Sequence, residues 1–253
     1  MASDPHYLGV VDADSILYRV AFACEEETAQ VAEITMDSFI RDSVIEPTDC
    51  KQYVFCFTGG SEQRREYAVT KPYKGQRKGE KPTHLEHLKS YAMDKYKGLI
   101  VEPHEADDVV IAIAQKYQGW SVLCGIDKDA KQLSGWHYNY TKNNMFFVTP
   151  ERAQWNLAYQ MLIGDTVDNI PGLPKIGAKK AAKLFEENSD KPPMQSVWEM
   201  YRERGLEYEY YEEQYRLLYM LRDIVYPFED HFIKVEDLFS IKADFDVEEF
   251  DFD

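Results

Sequence analysis

Short apolar runs that end in acid set the pattern of this chain. Leu8 to Val11, in YLGVVDADSILYRVAF, reads as a buried strand that meets Asp12 and Asp14 before a helix begins. QYVFCFTGG supplies a second buried strand, closed by Gly59 and Gly60. GWSVLCGIDKDA supplies a third, Ser121 to Ile126, which again runs into carboxylates. Between the strands, apolar positions recur at helical spacing in ADDVVIAIAQKY and in HLEHLKSYAMDKY, where Thr83 and Glu86 suit a capping box. Strands alternating with helices predict an α/β fold, a mostly parallel sheet covered on both faces. Ligands of such sheets sit beyond the carboxyl ends of the strands. The acids fall there.

The rest of the chain is less regular. RREYAVTKPYKGQRKGEKP is basic and punctuated by Gly and Pro, and reads as an exposed loop or mobile arch. ENSDKPP reads as a linker, and WEMYRERGLEYEYYEEQYRLLYMLRDI as Tyr-rich amphipathic helices. The terminal DFDVEEFDFD is an acidic, aromatic tail expected to be disordered.

Composition refines this picture at three points. At 44% hydrophobic and 14% aromatic over 253 residues, the chain can bury a sizeable core. A net charge of −16 argues against a uniformly basic nucleic-acid face. Yet the cations gather at Arg64 to Lys81 and Lys175 to Lys183, which leaves local phosphate binding open. Cys24, Cys50, Cys56 and Cys124 form no Cys-x-x-Cys pair, which fits reduced thiols better than zinc or disulfides. MASDPHYLG has no apolar signal core, and no stretch approaches the roughly 18 apolar residues of a membrane helix. A cytoplasmic protein without membrane contact is the expectation.

The carboxylates come in four clusters. Asp12 and Asp14 flank one residue at a strand end and point the same way if the strand persists. Asp127 and Asp129 repeat the arrangement. Glu105 and Asp108 share one face at a helix start, with Asp107 beside them, and Asp165 and Asp168 have the same spacing. Any single pair suits a helix N-cap or a solvated turn, and the helix dipole favours Asp107 and Asp108 in any case. Four clusters at strand ends and helix starts, with only Lys128 and Lys131 beside them in sequence, repel one another unless a cation joins them. Oxygen donors without Cys/His spacing suit Mg²⁺ or Mn²⁺ and exclude zinc. Two such ions about 4 Å apart can clamp the attacking and leaving oxygens of a phosphodiester.

Two basic segments complement the acids. In PGLPKIGAKKAAKLF, Gly172 and Gly177 frame a hairpin, and a helix begins near Ala178. Such a hairpin turns backbone N–H groups and a helix N-terminus toward phosphate. Lys179 and Lys180 add salt-sensitive attraction. In KPYKGQRKGEKP, a helical arch would put Lys74 and Arg77 on one face, with the Tyr73 ring available for base stacking. A solvated loop is the plainer alternative. His84 and His87 read as surface residues, and no Gly-rich loop of the NTPase type predicts ATP.

Taken in order, VVDAD, YKGQR, EADD, DKD and GDTVDNIPGLPKIGAKKA resemble the flap endonuclease/5′ nuclease family, including bacteriophage 5′→3′ exonucleases and the 5′ nuclease domains of bacterial DNA polymerases I. The resemblance covers roughly residues 8–187. It implies a Rossmann-like sheet, a helical arch at about 61–82 and a helix-hairpin-helix at about 160–187, within a 5′ nuclease core of residues 1–187. That hairpin would grip duplex DNA through a bound monovalent cation such as K⁺. Residues 188–243 would pack on the core as helices, and 244–253 would form the tail, with a replication protein as its partner.

By position, Asp12, Glu105, Asp107 and Asp108 resemble ligands of a first metal, and Asp127, Asp129, Asp165 and Asp168 those of a second. Lys74 and Arg77 match arch cations that act on the scissile phosphate. Tyr73, Gly172, Lys175, Gly177, Lys179 and Lys180 make up the expected DNA contacts. There are two departures. Thr58-Gly59-Gly60 stands where many members carry an Asp, which Asp14 would partly replace, and Lys175 stands where Gly is usual. The implied activity is a 5′→3′ exonuclease using two Mg²⁺ or Mn²⁺ on duplex or nicked DNA, extending to RNA–DNA hybrids, by a monomer in a phage-infected cell. A flap endonuclease or primer-removing ribonuclease H is the enzymatic alternative. A DNA-binding scaffold is the other, and the mutual repulsion of unused carboxylates speaks against it.

Overall fold

The structure is a computed structural model that describes residues 5–76, 79–187 and 191–239. Arg77 and the acidic tail therefore lie outside the described residues. β1 (Leu8–Asp12) leads into α1 (Asp14–Ala23), α2 (Ala29–Ile40) and the single turn α3 (Glu46–Thr48). β2 (Gln52–Phe57), α4 (Glu62–Tyr67), α5 (Leu85–Lys95), β3 (Leu99–Ile100), α6 (Ala106–Lys116) and β4 (Ser121–Cys124) follow. Next come the hairpin of β5 (Gly135–Asn139) and β6 (Asn144–Val148), then α7 (Pro150–Ile163) and α8 (Ala178–Glu187). α9 (Pro193–Glu203), α10 (Tyr208–Leu218), β7 (Ile233–Lys234) and α11 (Val235–Phe239) complete the described elements.

The strand order is β3-β2-β1-β4-β5-β6, with β7 added beside β2. Pairs from β3 to β5 are parallel, and β6 and β7 pair antiparallel, so the sheet is mostly parallel as the sequence predicts. β1 is buried at every position, which explains its unbroken apolar run in the middle of the sheet. The chain steps outward from β1 to β2 and β3, then returns to β4 on the other side. A crevice therefore opens at the carboxyl ends of β1 and β4.

Both faces of the sheet are covered. On one face α1, α2 and α5 pack against Tyr53, Phe55 and Phe57. On the other, α6 is buried on nearly every side against Val10, Val54 and Leu123, with Met220 and Phe228 sealing it. A third core joins Leu157 and Met161 of α7, Ile170 and Leu173 of the following loop, Phe185 of α8, Tyr201 of α9 and Leu217 of α10. The Tyr201 hydroxyl donates to the Met161 carbonyl in this core. The C-terminal helices thus hold the α7–α8 hairpin in place.

Three local features differ from the sequence reading. Thr83 and Glu86 form no capping box, because Thr83 bonds Glu25 and Glu86 pairs with Lys81. Among the described residues of the arch only α4 is helical, and the segment around Lys74 is a turn in which Lys74 itself takes a left-handed backbone (φ 55°). Lys74 therefore stands on no helix face, and the expectation for Arg77 lies outside the described residues. The segment is also not free of the core, since Arg64 and Tyr73 are both buried. Among the described residues, no helix is long and apolar enough to cross a membrane.

Candidate active site

The crevice collects the predicted acids from four elements. Asp12 ends β1, Glu105 and Asp107 stand at the start of α6, Asp127 and Asp129 follow β4, and Asp165 and Asp168 follow α7. Asp14 does not join them as a free group: its Oδ2 accepts the Thr58 N–H at 3.0 Å. Thr58 Oγ1 in turn accepts the Ala106 N–H at 3.0 Å, capping α6. Thr58 thus ties together the starts of α1 and α6 beside the crevice.

The loops are shaped by their own acids. Asp127 Oδ1 accepts the Asp129 N–H at 2.7 Å. Asp165 Oδ1 accepts the N–H groups of Val167 (2.7 Å) and Asp168 (3.1 Å). These are Asx turns, which spend one carboxylate oxygen on the backbone and leave the other outward. Lys128 Nζ sits 2.9 Å from Asp165 Oδ2. Gln160 donates to Asp129.

A cation that the sequence reading missed lies under this cluster. Arg64, in the stretch read as an exposed arch, donates to Asp108 at 2.6 and 2.7 Å and to Glu105 at 3.0 Å. Asp108 Oδ1 also accepts the Leu221 N–H at 2.8 Å. Both oxygens of Asp108 are therefore committed. Expected beside Asp107 as a metal ligand, Asp108 here braces α6 against α4 and the chain beyond α10. Tyr73 departs similarly. Its ring is buried, and its hydroxyl donates to Glu105 (2.9 Å) and Asp168 (3.1 Å), so it offers no face to a base. Lys74 Nζ pairs with Glu105 Oε1, and its backbone N–H donates to the Asp168 carbonyl at 3.0 Å.

Electrostatics show what the remaining acids lack. Burial first, and then Asp14 and Asp127, push Asp12 up to about 7. Its Oδ1 is buried without a hydrogen-bond partner. Asp107 is raised by burial, then by Asp12, Asp127 and Glu105. Asp129 is pushed up to about 7 by burial and then Asp127. Asp127 reaches the surface along one flank, yet enclosure of its carboxyl raises it too. Asp165 goes the other way: burial would raise it, but Lys128 and the N–H groups of Asp168 and Val167 outweigh that and lower it. An orphaned carboxylate oxygen among carboxyls that resist ionising is a donor set fitted to a hard cation. As the side chains stand, no three His, Cys, Asp or Glu among the described residues close around one point. Lys74 and Lys128 hold Glu105 and Asp165 instead.

The hairpin beyond the crevice presents Lys175, Lys179 and Lys180 to solvent. Lys175 takes φ 63°, a left-handed backbone at a turn that glycine adopts more readily. A Cβ on Gly177 would meet nothing within 4 Å, so the backbone at the start of α8 is open. Gly172 serves another purpose than the expected phosphate contact. Its N–H donates to Gln214 at 3.0 Å, its carbonyl accepts from Tyr210 at 2.8 Å, and a Cβ would lie 2.3 Å from the Gly164 nitrogen.

Sheet order, acid-lined crevice and lysine-bearing hairpin together define the class: an α/β protein of the 5′ nuclease fold. No family model matches the chain. DNA polymerase I of Bacillus caldotenax is 26% identical over 71% of this chain and 23% of its own length. DNA polymerase I of Deinococcus radiodurans is 35% identical over 33% of this chain and 10% of its own. Flap endonuclease Xni of Shewanella woodyi is 31% identical over 45% of this chain and 52% of its own. The chain thus spans about half or less of the length of the curated relatives it matches.

Among solved structures, the bacteriophage T5 D15 flap endonuclease in a complex with DNA and metal ions matches with TM-score 0.59 and 18% identity, over 84% of this chain and 87% of that one. Flap endonuclease-1 from Methanococcus jannaschii matches with TM-score 0.55 and 16% identity, over 86% and 79%. The catalytic core of Rad2 with a DNA substrate matches with TM-score 0.53 and 15% identity, over 88% and 73%. At these identities the structural likeness is one of fold. In sequence and in fold, the chain resembles the flap endonuclease/5′ nuclease family.

Proposed function

We propose that this chain is a divalent-metal-dependent nuclease that hydrolyses phosphodiester bonds of DNA at 5′ ends. The observation that carries the reading is Asp12, its Oδ1 buried without a partner among carboxyls raised by burial and by one another. In this reading Asp12, Glu105 and Asp107 hold a first Mg²⁺ or Mn²⁺, and Asp127, Asp129, Asp165 and Asp168 a second. Asp108 acts through Arg64, holding the start of α6 in place. When bound, such ions supply a more acidic water and a counter-charge for the departing oxygen.

The chain's own cations do the rest. Lys74, which pairs with Glu105, would be released if Glu105 held a metal, and its ammonium would then serve the scissile phosphate; Arg77 is assigned the same role from the sequence. The exposed Lys175, Lys179 and Lys180, with the open backbone at Gly177 and a monovalent cation such as K⁺, hold the uncut duplex. Attack and grip are then separated along one strand, so the enzyme measures its cut from the duplex it holds.

The likeness to DNA polymerase I and to a phage T5 protein supports a 5′→3′ exonuclease on duplex or nicked DNA in phage replication or recombination, with RNA–DNA hybrids as a further substrate. A second reading, a flap endonuclease, is favoured by the names of the Xni and T5 relatives. A time course on 5′-labelled blunt, nicked, flap and hybrid substrates, with Mg²⁺ and with EDTA, separates them. Mononucleotides released in sequence from blunt and nicked ends support the exonuclease, and an intact released flap supports the other. Absence of metal-dependent cleavage on every substrate overturns both.

A further inference from the structure

Beside the carboxylates, at the outer end of the sheet, lies a cavity of about 340 Å³. Its walls are the loop that follows β4 and one face of the β5–β6 hairpin. The hairpin contributes the Phe146 ring, backed by buried His137, which stacks on it with centroids 5.5 Å apart and planes inclined by 15°. Lys131 Nζ stands 5.5 Å from the centre of the Phe146 ring. Lys142 enters from the β5–β6 turn, and Lys128 from the side shared with Asp165. Asn139 Oδ1 accepts the N–H groups of Thr141 (3.1 Å) and Lys142 (3.0 Å), which fixes that turn and the position of Lys142.

The charge here runs against that of the chain. The net charge is −16, yet three lysines line one cavity, and among the described residues neither Lys131 nor Lys142 forms an ion pair. Solvated lysines have no need of an enclosed space or an aromatic floor. Unpaired ammonium groups beside an aromatic ring are complementary to a ligand that is anionic at one end and aromatic at the other. The volume is within the range of small-ligand sites. Asp127 lines the same cavity on the side of the crevice, so a ligand here lies next to the proposed point of cleavage.

We propose that this cavity is a binding site for a nucleoside 5′-monophosphate, its base over Phe146 and its phosphate between Lys131 and Lys142. The site rests on the nuclease reading for its place in the reaction, and it takes either the released nucleotide or the 5′-terminal nucleotide of a strand. Both sources share one chemistry, a phosphate monoester joined to a base. Lys131 has to move off the ring for a base to stack there, which its length and exposure permit.

The test is calorimetric titration with deoxythymidine 5′-monophosphate in EDTA, so that binding is read without cleavage. Lys131→Ala with Lys142→Ala should weaken binding by about tenfold or more for each ammonium–phosphate pair removed. Phe146→Leu should weaken the nucleotide while leaving inorganic phosphate, the weaker ligand, unchanged. Short oligothymidylates with and without a 5′-phosphate tell the sources apart. Preference for the phosphorylated oligomer over the free nucleotide assigns the site to a strand end, and the reverse assigns it to product. No binding of the nucleotide at millimolar concentration, or equal binding by the folded lysine variant, overturns the site. Metal-dependent cleavage measured in parallel shows whether the nuclease reading stands when the site fails.

Discussion

Replacing Arg64 with methionine probes the brace beneath the carboxylates. Arg64 is 7% exposed and its guanidinium makes four hydrogen bonds: two to Asp108 (2.6 and 2.7 Å), one to Glu105 (3.0 Å) and one to the Leu217 carbonyl (3.3 Å). Methionine fills much of the same volume and donates nothing. Glu105 would keep Tyr73 and Lys74, but Asp108, 2% exposed, would keep only the Leu221 N–H. Breaking one side of a buried pair strands the other charge and costs about 3–5 kcal/mol. In a chain of this size that lowers Tm by roughly 10 °C. Adding Asp108→Asn removes the stranded charge, keeps an acceptor for Leu221, and should recover about half of the loss. Thermal melts followed by circular dichroism, with urea denaturation for the free energy, measure both. A single variant melting within about 2 °C of the parent, or a double variant no more stable than the single, refutes the bracing role.

Three other outcomes follow from the structure. Burial pushes His137 down to about 4 from its ordinary 6.5, so the unfolded chain takes up the proton first. Its contribution is complete above pH 6.5 and is lost as pH falls toward 4, about 3 kcal/mol at most. His137→Gln should flatten the stability–pH curve across that window, and parallel curves for parent and variant would count against it. Gly172→Ala drives a Cβ to 2.3 Å from the Gly164 nitrogen at φ 63°, and should cost about 2 kcal/mol or more in urea denaturation. Unchanged stability would show that the two glycines do not need their close approach. Lys179→Ala with Lys180→Ala should weaken duplex binding and flatten its log–log salt slope by about 0.9 for each phosphate no longer neutralised. The rate at saturating DNA should fall much less, and a loss confined to that rate would move these lysines into the chemistry.

The parts of the fold legible in the sequence are those whose environment is uniform. β1, β2 and β4 are buried on both faces, so they read as continuous apolar runs, and the acids at their ends read as a site. β5 and β6 escaped because each is exposed on one side, with Trp136 and Phe147 toward solvent beside buried His137 and Val148. Arg64 was hidden for a different reason. It lies in a basic stretch that looks solvated, and its partners Glu105 and Asp108 are distant in sequence, so no local spacing announces the pair. Tyr73 followed the same logic: an aromatic beside lysines suggests stacking on bases, until Glu105 and Asp168 arrive to take its hydroxyl. Asp14 and Gly172 were read as an acid beside the metals and as a phosphate contact. Their atoms are spent on Thr58 and on Gln214 and Tyr210, contacts that only the folded chain brings about.

The central claim is that the carboxylates at the ends of β1 and β4 hold divalent metal for DNA cleavage. Single-turnover cleavage of a 5′-labelled nicked duplex tests it most directly, comparing the parent with Asp107→Asn in Mg²⁺ and in EDTA. Circular dichroism and duplex binding on the same samples show that the variant is folded and engages DNA. The account predicts cleavage by the parent in Mg²⁺ alone, and none by Asp107→Asn although it folds and binds. Cleavage that persists in EDTA, or in the folded variant at the parent's rate, would contradict it.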